Sequence, residues 1–127
     1  MILLDTHVVV WMRAQPDRLS QRARTMIEGA DGLAISDITL WELAMLVSLG
    51  RLEVGKPVGT YLGDVSRTST VLPITAAVAT EVADLPSTFP TKDPADRLIY
   101  ATAQVHGIPL LSADGRLNAF DDTVIWD

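Results

Sequence analysis

Residues 1–12 read MILLDTHVVVWM, and the fold turns on how that stretch is parsed. Ile2–Leu4 is a short apolar run, the pattern of a strand covered on both faces. Asp5 interrupts it. A carboxylate there suits the N-cap of a helix over residues 6–14, which Pro16 brings to a stop. The chain therefore opens strand, acid, helix.

The same cadence returns downstream. Ser20 caps a second helix over 20–29, with Gly29 near its stop, and Leu33–Ile35 is another short strand. Residues 38–49, ITLWELAMLVSL, form a helix that ends at Gly50. It is apolar almost all round, so it needs cover on more than one side, from the sheet and from another chain. A weakly patterned helix over 58–67 precedes a strand, Thr70–Ile74, in which Pro73 is tolerated only at an edge or bend. A helix over 75–84 stops before Pro86, and Pro86–Lys92 is the clearest loop. Asp93–Pro94 then opens a helix as cap and first residue, running to His106 and ending at Gly107. Pro109–Ser112 and Thr123–Trp126 are the last strands. Alternation of this kind predicts an α/β fold in three layers, a mainly parallel central sheet of four to five short strands with helices on both faces. Ligands of such sheets sit beyond the carboxyl ends of the strands, where Asp5 and Asp114 fall.

Composition narrows the function. The 127 residues are one domain's worth, 48% hydrophobic and 20% charged, without repeats or an interdomain linker. With no cysteine, disulfides and thiolate metal sites are excluded. The N-terminus has no basic region ahead of its apolar run and no segment reaches ~18 apolar residues, so neither a signal peptide nor a membrane span is expected, and the expected location is the cytoplasm. A net charge of −6 argues against a protein that coats nucleic acid, though not against a nuclease whose carboxylates hold a divalent cation. Arg13, Arg18, Arg22 and Arg24 lie close together, readable as a solvated helix face.

Four acids invite a chemical reading, and each also has a structural one. Asp5 is a helix cap or a ligand at a strand mouth. Glu42 either completes a capping box with Thr39 or, if Ser36 or Asp37 starts that helix, is a carboxylate on a largely buried surface that needs a cation or donors. Asp96 suits the positive end of its helix, and Asp114 suits a turn before Gly115. Together, two aspartates at strand ends and two acids near helix starts can converge on one cleft, where their mutual repulsion calls for a cation. Oxygen ligands without sulfur suit Mg²⁺ or Mn²⁺, ions that activate water in phosphoryl displacement.

The segments LLDTHVVVW (3–11), SDITLWELAMLVSLGRL (36–52), DPADRLIYATA (93–103) and PLLSAD (109–114), in this order and across nearly the whole chain, resemble the PIN domain, and more narrowly the VapC-type toxins of bacterial toxin–antitoxin pairs. The resemblance implies a single PIN domain over 1–127 and a Mg²⁺- or Mn²⁺-dependent endoribonuclease. Its metal-binding and catalytic quartet would be Asp5, Glu42, Asp96 and Asp114, with Ser112 as the hydroxyl accompanying the last aspartate. Thr6 and Arg97 are further candidates for supporting substrate and site. It also implies an RNA substrate, a homodimer and a cognate antitoxin that lays a helix along a groove and places a basic side chain at the acids. Two departures concern the contour of the site: Thr91 and Lys92 stand where relatives often carry His and a basic residue, and Ala95 stands where many have Phe.

Several residues stay open. Arg97 either positions a phosphate or forms an ion pair, with the ion pair preferred. Asp93 reads as a cap rather than a ligand. His7 reads as a metal ligand, a base or, as preferred, a helix-start residue near the site, and His106 suits a helix C-terminus. Trp11, Trp41 and Met45 are base-stacking or, as preferred, packing residues. An aspartyl-nucleophile phosphatase would need an acid where His7 stands. A receiver domain would need an acidic pair after the first strand and a lysine near the last, and neither is present. The remaining alternative is a non-catalytic PIN-like binding or scaffold module.

Overall fold

A computed structural model describes residues 1–127. Its strands are β1 (Ile2–Leu4), β2 (Leu33–Ser36), β3 (Thr70–Leu72) and β4 (Leu110–Leu111). Its helices are α1 (Thr6–Ala14), α2 (Gln21–Gly29), α3 (Asp37–Ser48), α4 (Val58–Thr68), α5 (Ala76–Ala83), α6 (Pro94–His106) and α7 (Gly115–Phe120), with a 3₁₀ turn at Pro16–Arg18. The sheet order is β3-β2-β1-β4 and every pairing is parallel.

Side chains along the strands sort by the two-residue period into two cores. Ile2 and Leu4 of β1, Ile35 of β2 and Leu111 of β4 face α1, α2, α3 and α4 through Val8, Ala23, Leu43 and Val65. Leu3, Ala34 and Leu110 face the other way, onto Ile99 and Ala103 of α6 and Leu117 of α7. The predicted three-layer α/β architecture with helices on both faces is what the chain adopts.

Most local signals act as read. Ser20 caps α2, its hydroxyl accepting from the Ala23 N–H. Asp93 caps α6 with Pro94 as first residue, and Gly107 ends that helix in the left-handed region at φ +62°. Strand β3 stops at Leu72, before Pro73, and lies at the sheet edge that a proline requires.

Two expectations change and one open alternative is decided. The strand at 123–126 shrinks to a single parallel bridge between Leu111 and Ile125, because the Asp121 carboxylate folds the preceding chain into a turn by accepting from the Thr123 N–H and hydroxyl. Asp114 is not a simple turn residue: its carboxylate caps α7, a helix the sequence reading did not contain. The Thr39–Glu42 capping box does not form, since α3 starts at Ser36, whose hydroxyl accepts from the Ile38 N–H.

Candidate active site

β1 and β4 are adjacent and parallel, so the segments leaving them emerge side by side. Asp5 follows β1 and caps α1; Asp114 follows β4 and caps α7; Asp96 lies in the first turn of α6. The positive ends of helices thus face a common region and favour anionic side chains there. An open cleft of about 310 Å³ is lined by Asp5, Asp96, Asp114, Ala113, His7 and Trp11. Three of the four singled-out acids meet in it. Glu42 is tied to its edge through Thr6, whose hydroxyl donates to Glu42 Oε1 at 2.5 Å.

Hydroxyls hold three of these carboxylates. Ser112, fully buried, donates to Asp5 Oδ2 at 2.7 Å and accepts from the Asp114 N–H at 3.1 Å, linking the two strand-end turns. Asp5, itself 7% exposed, also accepts from the Thr6 N–H at 2.9 Å. Thr6 holds Glu42 and lies 3.0 Å from the buried Thr39 hydroxyl. Thr91 donates to Asp96 Oδ2 at 3.1 Å. The fourth acid is held by a cation: Arg116 grips Asp114 through Nε at 3.3 Å and a terminal nitrogen at 3.1 Å.

The electrostatics follow from this crowding. Burial, with the charges of Asp5, Asp93 and Asp114, pushes the Asp96 carboxyl up to about 6 against the pull of the Thr91 hydroxyl. Burial likewise raises Glu42, aided by Asp5, Asp96 and Asp93 and opposed by the Thr6 hydrogen bond. For Asp114 burial also pushes upward, but the hydrogen bonds and charge of Arg116 outweigh it, and the carboxyl sits below its ordinary value.

His7 is neither a free base nor an open ligand. Its Nε2 accepts the Ala113 N–H at 2.8 Å, which places the ring proton on Nδ1, 3.7 Å from Asp5 Oδ2. It fastens α1 to the turn carrying Asp114. Arg97 forms no ion pair, contrary to the preferred reading: its Nε donates to the Thr91 carbonyl at 2.9 Å and its guanidinium lies over Phe89, bracing the loop ahead of α6. Asp93 is the cap expected, accepting from the Ala95 N–H. His106 sits in the last turn of α6, about 15 Å along the axis from Asp96. Sequence reasoning missed Thr91 as a holder of Asp96 and Arg116 as a partner of Asp114. The first lies in the loop ahead of α6, five residues before its acid, a separation that no capping rule marks.

The donor set is all carboxylate oxygen, the hard chemistry that suits Mg²⁺ or Mn²⁺. No three of these side chains close into a finished coordination shell. Mg²⁺ does not demand one, since it commonly keeps several waters and uses one or two carboxylates. Burial chiefly, and the neighbouring carboxylates in addition, raise the Asp96 and Glu42 carboxyls; a cation would relieve the repulsion part, so the residues fit such an ion.

Comparison with known proteins agrees. The model of the PIN domain family matches residues 2–123. The chain is 45% identical over 118 residues to Ribonuclease VapC22 of Mycobacterium tuberculosis, covering 93% of this chain and 90% of that one. Among solved structures it resembles FitAcB from Neisseria gonorrhoeae, with a TM-score of 0.69, 27% identity, and coverage of 100% of this chain and 97% of that one. A toxin–antitoxin complex from Klebsiella pneumoniae contains a chain of the same fold, with a TM-score of 0.71, 21% identity, and coverage of 98% and 96%. The chain belongs to the PIN-domain family and, within it, to the VapC-type proteins.

Proposed function

We infer that this chain, as one PIN domain over 1–127, is a metal-dependent endoribonuclease and the toxin of a toxin–antitoxin pair. The carrying observation is the cleft where Asp5, Asp96 and Asp114 meet beyond the parallel strands, with Asp96 pushed up to about 6 by burial and like charges. Kinship with a protein named a ribonuclease supports RNA as the substrate. Asp5, Asp96 and Asp114, with Glu42 at the edge, would hold Mg²⁺ or Mn²⁺. Such an ion supplies activation of water and charge stabilisation of the leaving oxygen in an in-line displacement.

The chain's own residues prepare this chemistry. Ser112, Thr6 and Thr91 each fix one carboxylate, so the acids need little reorganisation when charge arrives. His7 holds the Asp114 turn and has no free nitrogen lone pair with which to take a proton from a 2′-hydroxyl. The products are therefore 5′-phosphate and 3′-hydroxyl ends. End-labelling of purified products tests this, alongside cleavage in Mg²⁺, Mn²⁺ and EDTA. Asp5→Asn, Asp96→Asn and Asp114→Asn should each lower cleavage on the order of a hundredfold or more, and His106→Ala should be nearly as active as wild type. A 2′,3′-cyclic phosphate formed in EDTA and lost in His7→Ala would overturn the metal mechanism.

The partner assignment rests on the surface of α3. Trp41 is 58% exposed, Met45 37% and Leu49 58%, at the spacing of one helix face. An apolar stripe of this kind suits a partner helix. A cognate antitoxin, with a second copy of the chain, is its proposed cover, in line with the toxin–antitoxin complex that shares the fold. No helix is long and apolar enough to cross a membrane, and the cytoplasm is the proposed place of action.

A further inference from the structure

A polyanion approaching this protein meets a net charge of −6, and a cation at the acids would neutralise only the phosphate being cut. Flanking phosphates must lie where positive charge is free. Arg24, Lys56, Arg67 and Arg116 are each engaged by an aspartate. Arg18 pairs with no carboxylate, as do Arg13, Arg51, Lys92 and Arg97, and of these it is Arg18 that lies against Trp11, a residue lining the acidic cleft. Arg18 has a long 3.4 Å bond to Gln15, and its guanidinium lies over one face of the Trp11 ring, 4.2 Å from its centre. Arg22 is engaged by the main-chain oxygen of Asp127 at 2.8 Å and lines a second cleft of about 320 Å³, which shares Ala113 with the acidic one and contains Trp126.

Between the acids and these arginines stands a wall of rings. His7 and Trp11 lie 5.0 Å apart at 52°, and Trp11 and Trp126 lie 5.7 Å apart at 60°. Trp11 lines the acidic cleft itself, one helical turn beyond His7 and thus just past Asp5. It is half-buried, with its inner part packed on the core and its outer part at the cleft. An indole that lines a cleft and carries on one face an arginine without a carboxylate is a combination that holds single-stranded nucleic acid: the cleft side of the ring takes a base and the cation takes a phosphate.

We propose that Trp11 and Arg18 form a nucleotide subsite beside the acids, with an unpaired base of the RNA against the cleft side of the indole and the adjoining phosphate on the guanidinium stacked over its other face. This rests on the ribonuclease reading above. It requires the nucleotide next to the cut to be unstacked from its own strand.

The test pairs substrate and protein changes. Wild type with Mn²⁺ is assayed on single-stranded oligoribonucleotides carrying the mapped cleavage sequence, each lacking one base near the cut. Loss of one particular base should raise KM about tenfold in wild type, and Trp11→Ala, already without the ring, should no longer feel that loss. Trp11→Phe should restore most of the effect. The exposed Arg18→Ala should keep the base effect and flatten log KM against log salt by about 0.7, one phosphate contact. Binding is read separately by quenching of indole fluorescence in the Asp96→Asn protein, and Trp11→Phe in that background should remove most of it. Equal base-loss penalties in wild type and Trp11→Ala overturn the subsite while leaving the nuclease intact. Quenching that depends on Trp11, in a protein whose wild type cuts no RNA, overturns the nuclease reading and keeps the subsite.

Discussion

Asp96 is the residue on which the most physics converges. Its carboxyl titrates near 6 in the folded chain, against an ordinary value of 3.8. Between those values the folded state holds more protons than the unfolded one, so stability of the metal-free protein falls as pH rises from about 4 to about 6. Above that range Asp96 is ionised among Asp5, Asp93 and Asp114 and contributes a penalty. Asp96→Asn should therefore raise the metal-free Tm at pH 7.5 by roughly 2–4 °C and leave it little changed at pH 4. Mn²⁺ should stabilise wild type but much less the variant, and its affinity for wild type should weaken as pH drops below about 6, where proton and metal compete for one carboxylate. Calorimetric scans with and without metal across this range decide the matter. An unchanged pH dependence in Asp96→Asn would remove the account.

At the scale of elements, the site is a junction of turns. Ser112 joins the end of β1 to the start of α7, and His7 joins α1 to the same turn. Ser112→Ala strips a donor from the buried Asp5 carboxylate and an acceptor from the Asp114 N–H. A loss of about 1–3 kcal/mol in unfolding free energy is expected, with at least a tenfold fall in cleavage at fixed metal. A control lies at the far end of α6. Gly107 has φ +62° with open space around it, so Gly107→Ala meets no clash and bears only the left-handed penalty of about 1–2 kcal/mol. Denaturant melts should show similar losses for both variants, while cleavage falls only for Ser112→Ala. Equal activity in the two would mean that Ser112 is structural filling.

The whole molecule is two apolar cores on one parallel sheet, with a third apolar surface left open on α3. Leu43 of that helix is fully buried and Trp41 is more exposed than covered. The expectation that α3 needs cover on more than one side thus has a concrete surface. Trp41→Lys with Leu49→Lys should weaken assembly with the antitoxin, or self-association, by more than about tenfold. Cleavage of a short oligoribonucleotide by the isolated chain should persist, because neither side chain lines the acidic cleft. Sedimentation of wild type and double variant, alone and with antitoxin, tests this. Indistinguishable assemblies would show that the stripe is no interface.

What the sequence determined by itself is everything that depends on neighbours within about four positions. The runs at 2–4 and 33–35, the Ser20 and Asp93 caps, the Pro94 start and the Gly107 stop were all readable, because strand period and capping are local properties. With alternation came the parallel sheet, and with that the place of Asp5 and Asp114 beyond its strands. The tertiary structure alone decided which donors meet which acids. Glu42 is claimed by Thr6 across 36 positions and Asp5 by Ser112 across 107, and no spacing rule reaches that far. It also decided that Arg97 serves a backbone carbonyl, that Asp114 starts a helix, and that residues 123–126 keep only one bridge. In each case a local preference was compatible with two outcomes, and packing against a distant segment selected one.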